Sequence, residues 1–70
     1  MRRGTLLREI GRTARRHGVE WTLVRQGGRH EVWRCGVIEV VIPRHADIND
    51  LTAVGIKRSL EGELGKGWWR

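Results

Sequence analysis

Cysteine is nearly missing from this 70-residue sequence: Cys35 is the only one. That excludes an internal disulfide and a metal cage built from thiolates. His17, His30 and His45 are far apart, with no HxxxH or HExxH spacing, so no metal site and no cofactor is expected. No apolar run approaches the ~20 residues of a membrane span. Arg2 and Arg3 are not followed by the apolar stretch of a secretory signal. With a free thiol and no export signal, the expected setting is cytoplasmic, without a membrane partner. Acidic residues are scarce too, eight against fourteen Lys and Arg, giving a formal charge of +6 and a pI near 11.3. So strong a bias in so short a chain favours a polyanionic partner, either nucleic acid or an acidic protein. One small domain, 1–70, is expected, burying only about 60% of the surface its unfolded chain exposes.

What is present has a clear order. From Thr5 to His17, Leu6, Leu7, Ile10 and Ala14 fall on one helical stripe, with Arg8, Glu9, Arg12, Arg15 and Arg16 mostly outside it. Thr5 is the expected N-cap and Gly18 the residue that closes the helix. Glu20–Gln26, Arg29–Arg34 and Val37–Ile42 have the β-branched and aromatic content of three strands. Alternation puts Glu31, Trp33 and Cys35 on one face of the second strand and His30, Val32 and Arg34 on the other. Trp33 gains most from burial, so its face is expected to carry the core. Glu39 needs solvent, which turns Ile38, Val40 and Ile42 inward. Pro43, the one proline, ends the third strand. Asn49 then caps a second helix over 50–64, whose buried stripe is Leu51, Ala53, Ile56, Leu60 and Leu64. The tail, 66–70, contains Trp68 and Trp69, which either fold back over the core or form an exposed partner surface.

Both amphipathic helices need the same apolar sheet face. The expected fold class is therefore α+β: a two-layer α-β-β-β-α arrangement, with a three-stranded antiparallel sheet and two helices on one face. Double-stranded-RNA-binding domains have this architecture.

The stretch with the most chemical promise is Gln26-Gly27-Gly28-Arg29-His30. Two glycines between apolar segments read as a hairpin bend, where a ligand's backbone can come close. His30 opens the next strand, on a rigid element, with a side-chain type that titrates near neutrality and so suits proton transfer.

Gly28-Arg29-His30 followed by Val32-Trp33 resembles the glycine-x-histidine hairpin of HicA-type toxins. A second match is Ile42-Pro43-Arg44-His45 with Ile48-Asn49, then Gly55-Ile56-Lys57-Arg58-Ser59-Leu60 and Leu64-Gly65. With Leu6-Leu7 in the first helix, the similarity covers nearly the whole chain. Arg29 stands where a small polar residue is common, Glu61 where an apolar one is frequent, and Trp68-Trp69 lies outside the pattern. The resemblance implies a small mRNA interferase with a double-stranded-RNA-binding-like fold. Its substrate would be mRNA, and a HicB-type antitoxin would hold it inactive. The family's catalytic histidine falls on His30.

Metal-independent RNA cleavage needs a base for the 2′-hydroxyl, an acid for the leaving oxygen and cations on the phosphate. His30 fits either proton-transfer role. Gly28, Arg29 and the outward Arg34 are candidates for the phosphate. Arg44, Lys57 and Arg58 are phosphate binders by type, although charges on a helix are usually a solvated face. His45 is either a second proton-transfer group or a loop residue held by a hydrogen bond. Cys35 reads as a small hydrophobe. Two other readings share this composition: an RNA-binding module without catalysis, and a protein-interaction domain for an acidic partner.

Overall fold

The computed structural model describes all residues, 1–70. Its elements are α1 (Arg3–Arg16), β1 (Trp21–Gln26), β2 (His30–Cys35), β3 (Ile38–Pro43), α2 (Asp50–Ser59) and a short α3 (Glu61–Leu64). The strands form one antiparallel sheet in the order β1-β2-β3. The α+β architecture is the expected one, with the second helical segment divided in two. No helix is long and apolar enough to cross a membrane.

The core lies between the helices and one sheet face. Leu6, Ile10 and Ala14 of α1 meet Cys35, Val40 and Ile42 of the sheet and Ile48, Ala53, Ile56, Leu60 and Leu64 of the C-terminal half. The chain has no Phe or Tyr, and its tryptophans sit around this core rather than at its centre. Trp33 is on the core face but only half-buried, stacked on Trp21 with ring centroids 4.6 Å apart. Such a pair adds about 0.5–1.5 kcal/mol beyond the area it covers.

Three local expectations are corrected. Thr5 does not cap α1. The N-cap of the helix is Arg2, three residues earlier, with no side-chain cap. Its start is held by the chain before α2 instead: Arg3 N–H donates to Ala46 O (2.9 Å) and Ile48 N–H to Met1 O (2.7 Å). Leu51 is not in the buried stripe but 84% exposed. It follows the Asn49 cap, whose Oδ1 accepts from Leu51 N–H at 2.8 Å, and it lies about 180° around the helix from Leu60, on the solvent side. The helix over 50–64 is interrupted at Leu60, where the backbone (φ −97°, ψ 3°) leaves helical geometry. Leu60, at the break, and Leu64, after it, are both buried.

The tail folds back. Trp68 packs against the core and its indole N–H donates to Lys57 O at 2.8 Å. Gly67 N–H donates to the Glu61 carboxylate at 2.7 Å. The β2–β3 loop is Gly36-Val37, with Gly36 at φ +61°, a conformation glycine adopts without the steric penalty of a Cβ.

Candidate nucleic-acid interface

The sheet face away from the helices is open. His30, Val32 and Arg34 of β2 point there, opposite Pro43, Val41 and Glu39 of β3. At its β1–β2 turn lies a depression of about 370 Å³, lined by Arg25, Gly27, Gly28, Arg29, His30, Val32 and Val41. Two valines, two arginines and one histidine are among its lining side chains. Gly27 N–H donates to His30 O at 2.9 Å and closes the turn. Neither Gly27 nor Gly28 has positive φ. A Cβ on Gly27 would press on His30 O at 3.1 Å, whereas one on Gly28 would meet nothing within 4 Å. Gly27 is thus needed for the turn, and Gly28 leaves space for a ligand.

Arg25 was not apparent from sequence. Strict alternation from Trp21 would place it on the core face. The register shifts between Leu23, which faces Trp33, and Arg25, which faces Val32. Val24 is therefore the extra residue of a β-bulge, and bulges re-aim the side chains that follow them. Arg25 is carried to the open face beside His30.

Behind His30, on the core side, Glu31 is buried (6% exposed). Its carboxylate accepts from the Arg3 guanidinium, from Trp33 Nε1 at 3.0 Å and from Gln26 Nε2 at 3.3 Å. Arg44 Nε lies 3.9 Å away. Burying a carboxylate is costly unless it is paired and hydrogen-bonded, and here α1, β1 and β2 itself each contribute a donor. Sequence placed Glu31 on the core face, but its partners come from α1, β1 and the loop after β3, which only the fold assembles.

The other expected site residues divide. Arg29 lies in the depression, and its carbonyl accepts from Arg44 N–H at 2.8 Å. Arg44 donates to Gly27 O at 2.9 Å and so braces the turn from outside. Arg34 shares the His30 face but is four residues along the strand, about 13 Å away by strand rise, and pairs with Glu39 at 3.8 Å. His45 is exposed in the loop just beyond Arg44. Lys57 and Arg58 are on α2, in the helical layer, and Lys57 pairs with Glu9 at 3.4 Å. The fold thus gathers Gly28, Arg29 and His30 with Arg25, holds Arg44 against the turn behind them, and leaves His45, Arg34, Lys57 and Arg58 outside the depression.

None of the side-chain hydrogen bonds involves the ring of His30 or of His45. Both imidazoles are free to meet a ligand. Cys35 lies elsewhere, fully buried, and burial, with Glu63 adding to it, pushes its thiol above the ordinary range. No family model, curated protein or solved structure matches the chain.

Proposed function

We propose that this chain is a metal-independent endoribonuclease of the HicA type, an mRNA-cleaving toxin of the cytoplasm neutralised by a HicB-type antitoxin. The observation that carries the reading is the joint placement of His30, Arg25 and Arg29 around one open depression on the helix-free face. The α-β-β-β-α order and the resemblance at Gly28-Arg29-His30 and Pro43-Arg44-His45 support it.

In this reading His30 takes the proton of a 2′-hydroxyl. The freed oxygen attacks the adjacent phosphorus, and the 5′-oxygen of the next nucleotide leaves with a proton from a second group. Arg25 and Arg29 stabilise the charge that grows on the phosphate oxygens. His45, exposed and next in sequence to Arg44, is the candidate second group. General acid–base assistance of this kind supplies a rate factor of about 10²–10⁴.

The reading is tested by inducing the protein beside His30→Ala and following growth and mRNA integrity. Growth arrest with mRNA cleavage by the parent, and neither with a folded His30→Ala, is the expected result. Identical behaviour of the two would remove His30 from catalysis. One feature favours a second reading, an RNA-binding module without cleavage: no side chain hydrogen-bonds the His30 ring to orient it. In that case parent and variant bind RNA alike and neither cuts it.

A further inference from the structure

The folded-back tail creates a second concavity, in the helical layer and away from His30. It is a hollow of about 180 Å³ lined by Glu9, Arg12, Thr13 and Arg16 of α1 and by Trp68 and Trp69. Arg12 and Arg16 are one helical turn apart and exposed, so they stand side by side on one wall. The Arg16 guanidinium is 3.4 Å from Thr13 Oγ1. Glu9, the one acid in the wall, faces Lys57 at 3.4 Å.

The aromatic wall is fixed as well. Trp68 is tied to Lys57 O, and Trp69 meets it edge-on, with centroids 5.8 Å apart. The Arg70 guanidinium lies over the Trp69 ring, 5.4 Å from its centre, so one face of that ring holds a cation. Trp21 and Trp33 stack on each other, and Trp68 serves the core. Trp69 is therefore the tryptophan that neither stacks on another ring nor packs on the core, and a base would stack on its face away from Arg70 or in place of Arg70.

We propose that this hollow binds single-stranded RNA, with a base stacked on Trp69 and the neighbouring phosphate held by Arg12 and Arg16. Cationic grooves bearing an aromatic platform bind unpaired strands, because any exposed base presents a π-face. A duplex keeps its bases stacked internally and cannot offer one. The other flank of α1 supports the same path: Gly11, Arg15, Val19 and Trp21 line a second small hollow, so the arginine ridge runs between two tryptophans. An acidic peptide would satisfy the arginines but would leave the Trp69 ring without a stacking partner.

The site is tested in His30→Ala protein, so that RNA stays intact and the result is independent of whether His30 cleaves. Binding of a labelled oligouridylate is measured by fluorescence anisotropy at fixed salt. Trp69→Ala is expected to weaken binding about 10-fold, while Trp69→Phe retains most of it. Arg12→Gln/Arg16→Gln should weaken it further and flatten its salt dependence. Duplex RNA of equal length should bind more weakly and be indifferent to Trp69→Ala. Unchanged oligouridylate affinity in Trp69→Ala, or displacement of the RNA by a polyglutamate peptide at comparable concentration, would overturn the proposal.

Discussion

The Glu31 carboxylate on β2 receives the guanidinium of Arg3 from the first turn of α1, directly behind the strand residue that carries His30. Arg3 also donates from Nε to Pro43 O at 2.9 Å. One ion pair therefore ties the start of α1, the end of β3 and the base of the candidate site together.

Glu31→Ala leaves the partly buried Arg3 without its partner. Breaking a buried pair from one side typically costs ~3–5 kcal/mol, and the lower end is expected because Arg3 remains 22% exposed. The shift in urea midpoint checks this. A loss below about 1 kcal/mol would show that the pair does not hold α1 to the sheet.

Arg25→Ala should keep the fold, since its side chain is exposed, and should lower RNA cleavage about 10-fold or more by removing one phosphate cation. Arg34→Ala serves as the comparison and should have a smaller effect. Equal effects from the two would contradict the grouping of Arg25 with His30.

At Gly36 the backbone is left-handed (φ +61°), and an added Cβ would fall onto the Glu63 carboxylate. Gly36→Ala is expected to destabilise by ~2 kcal/mol, from the conformational penalty together with displacement of Glu63. Glu63 accepts from Val37 N–H at 3.0 Å. Glu63→Ala in the same chain should therefore relieve the clash but not the backbone strain, and thermal melts of both variants separate the two contributions.

Cys35 should resist alkylation in the native protein at neutral pH and react once the chain unfolds, because it is buried and its pKa is raised. The sign for stability follows. A folded-state pKa above the unfolded value means that stability is full below the unfolded thiol's range and falls as pH rises through the folded one. Cys35→Ser should lose that alkaline decline, as seen in denaturant midpoints across the alkaline range.

Leu51 and Leu60 stand about 180° apart on a helical wheel, and their burial differs accordingly, 84% against 0% exposed. Leu51→Gln should change stability by no more than ~0.5 kcal/mol, and Leu60→Ala should cost ~2–5 kcal/mol. Similar losses for both would place Leu51 in the core after all.

Much of the fold was legible because its signals are local. The β-branched runs, the Asn49 cap, Gly18 and the outward demand of Glu39 each act within a few residues, and the three strands lie within one residue of their expected ends. Leu51 does not belong in the stripe of Ala53, Ile56 and Leu60, because ~100° per residue already sets it about 180° around the helix from Leu60 and on the solvent side. Thr5 was misplaced because the chain near Ile48, distant in sequence, satisfies the start of α1.

The sequence by itself determined the element order, the two-layer packing, the inward faces of the second and third strands and the exposure of His30, since period and polarity specify these. Tertiary structure alone decided the surroundings of His30. The bulge at Val24 turns Arg25 toward it, Arg44 is spent bracing the turn, and Arg3 and Gln26 converge on Glu31 from behind. It also decided that Trp68 and Trp69 lie along α1 rather than extend into solvent. Each of these depends on groups far apart in the chain meeting at hydrogen-bond range, a relation that no local pattern of residues encodes.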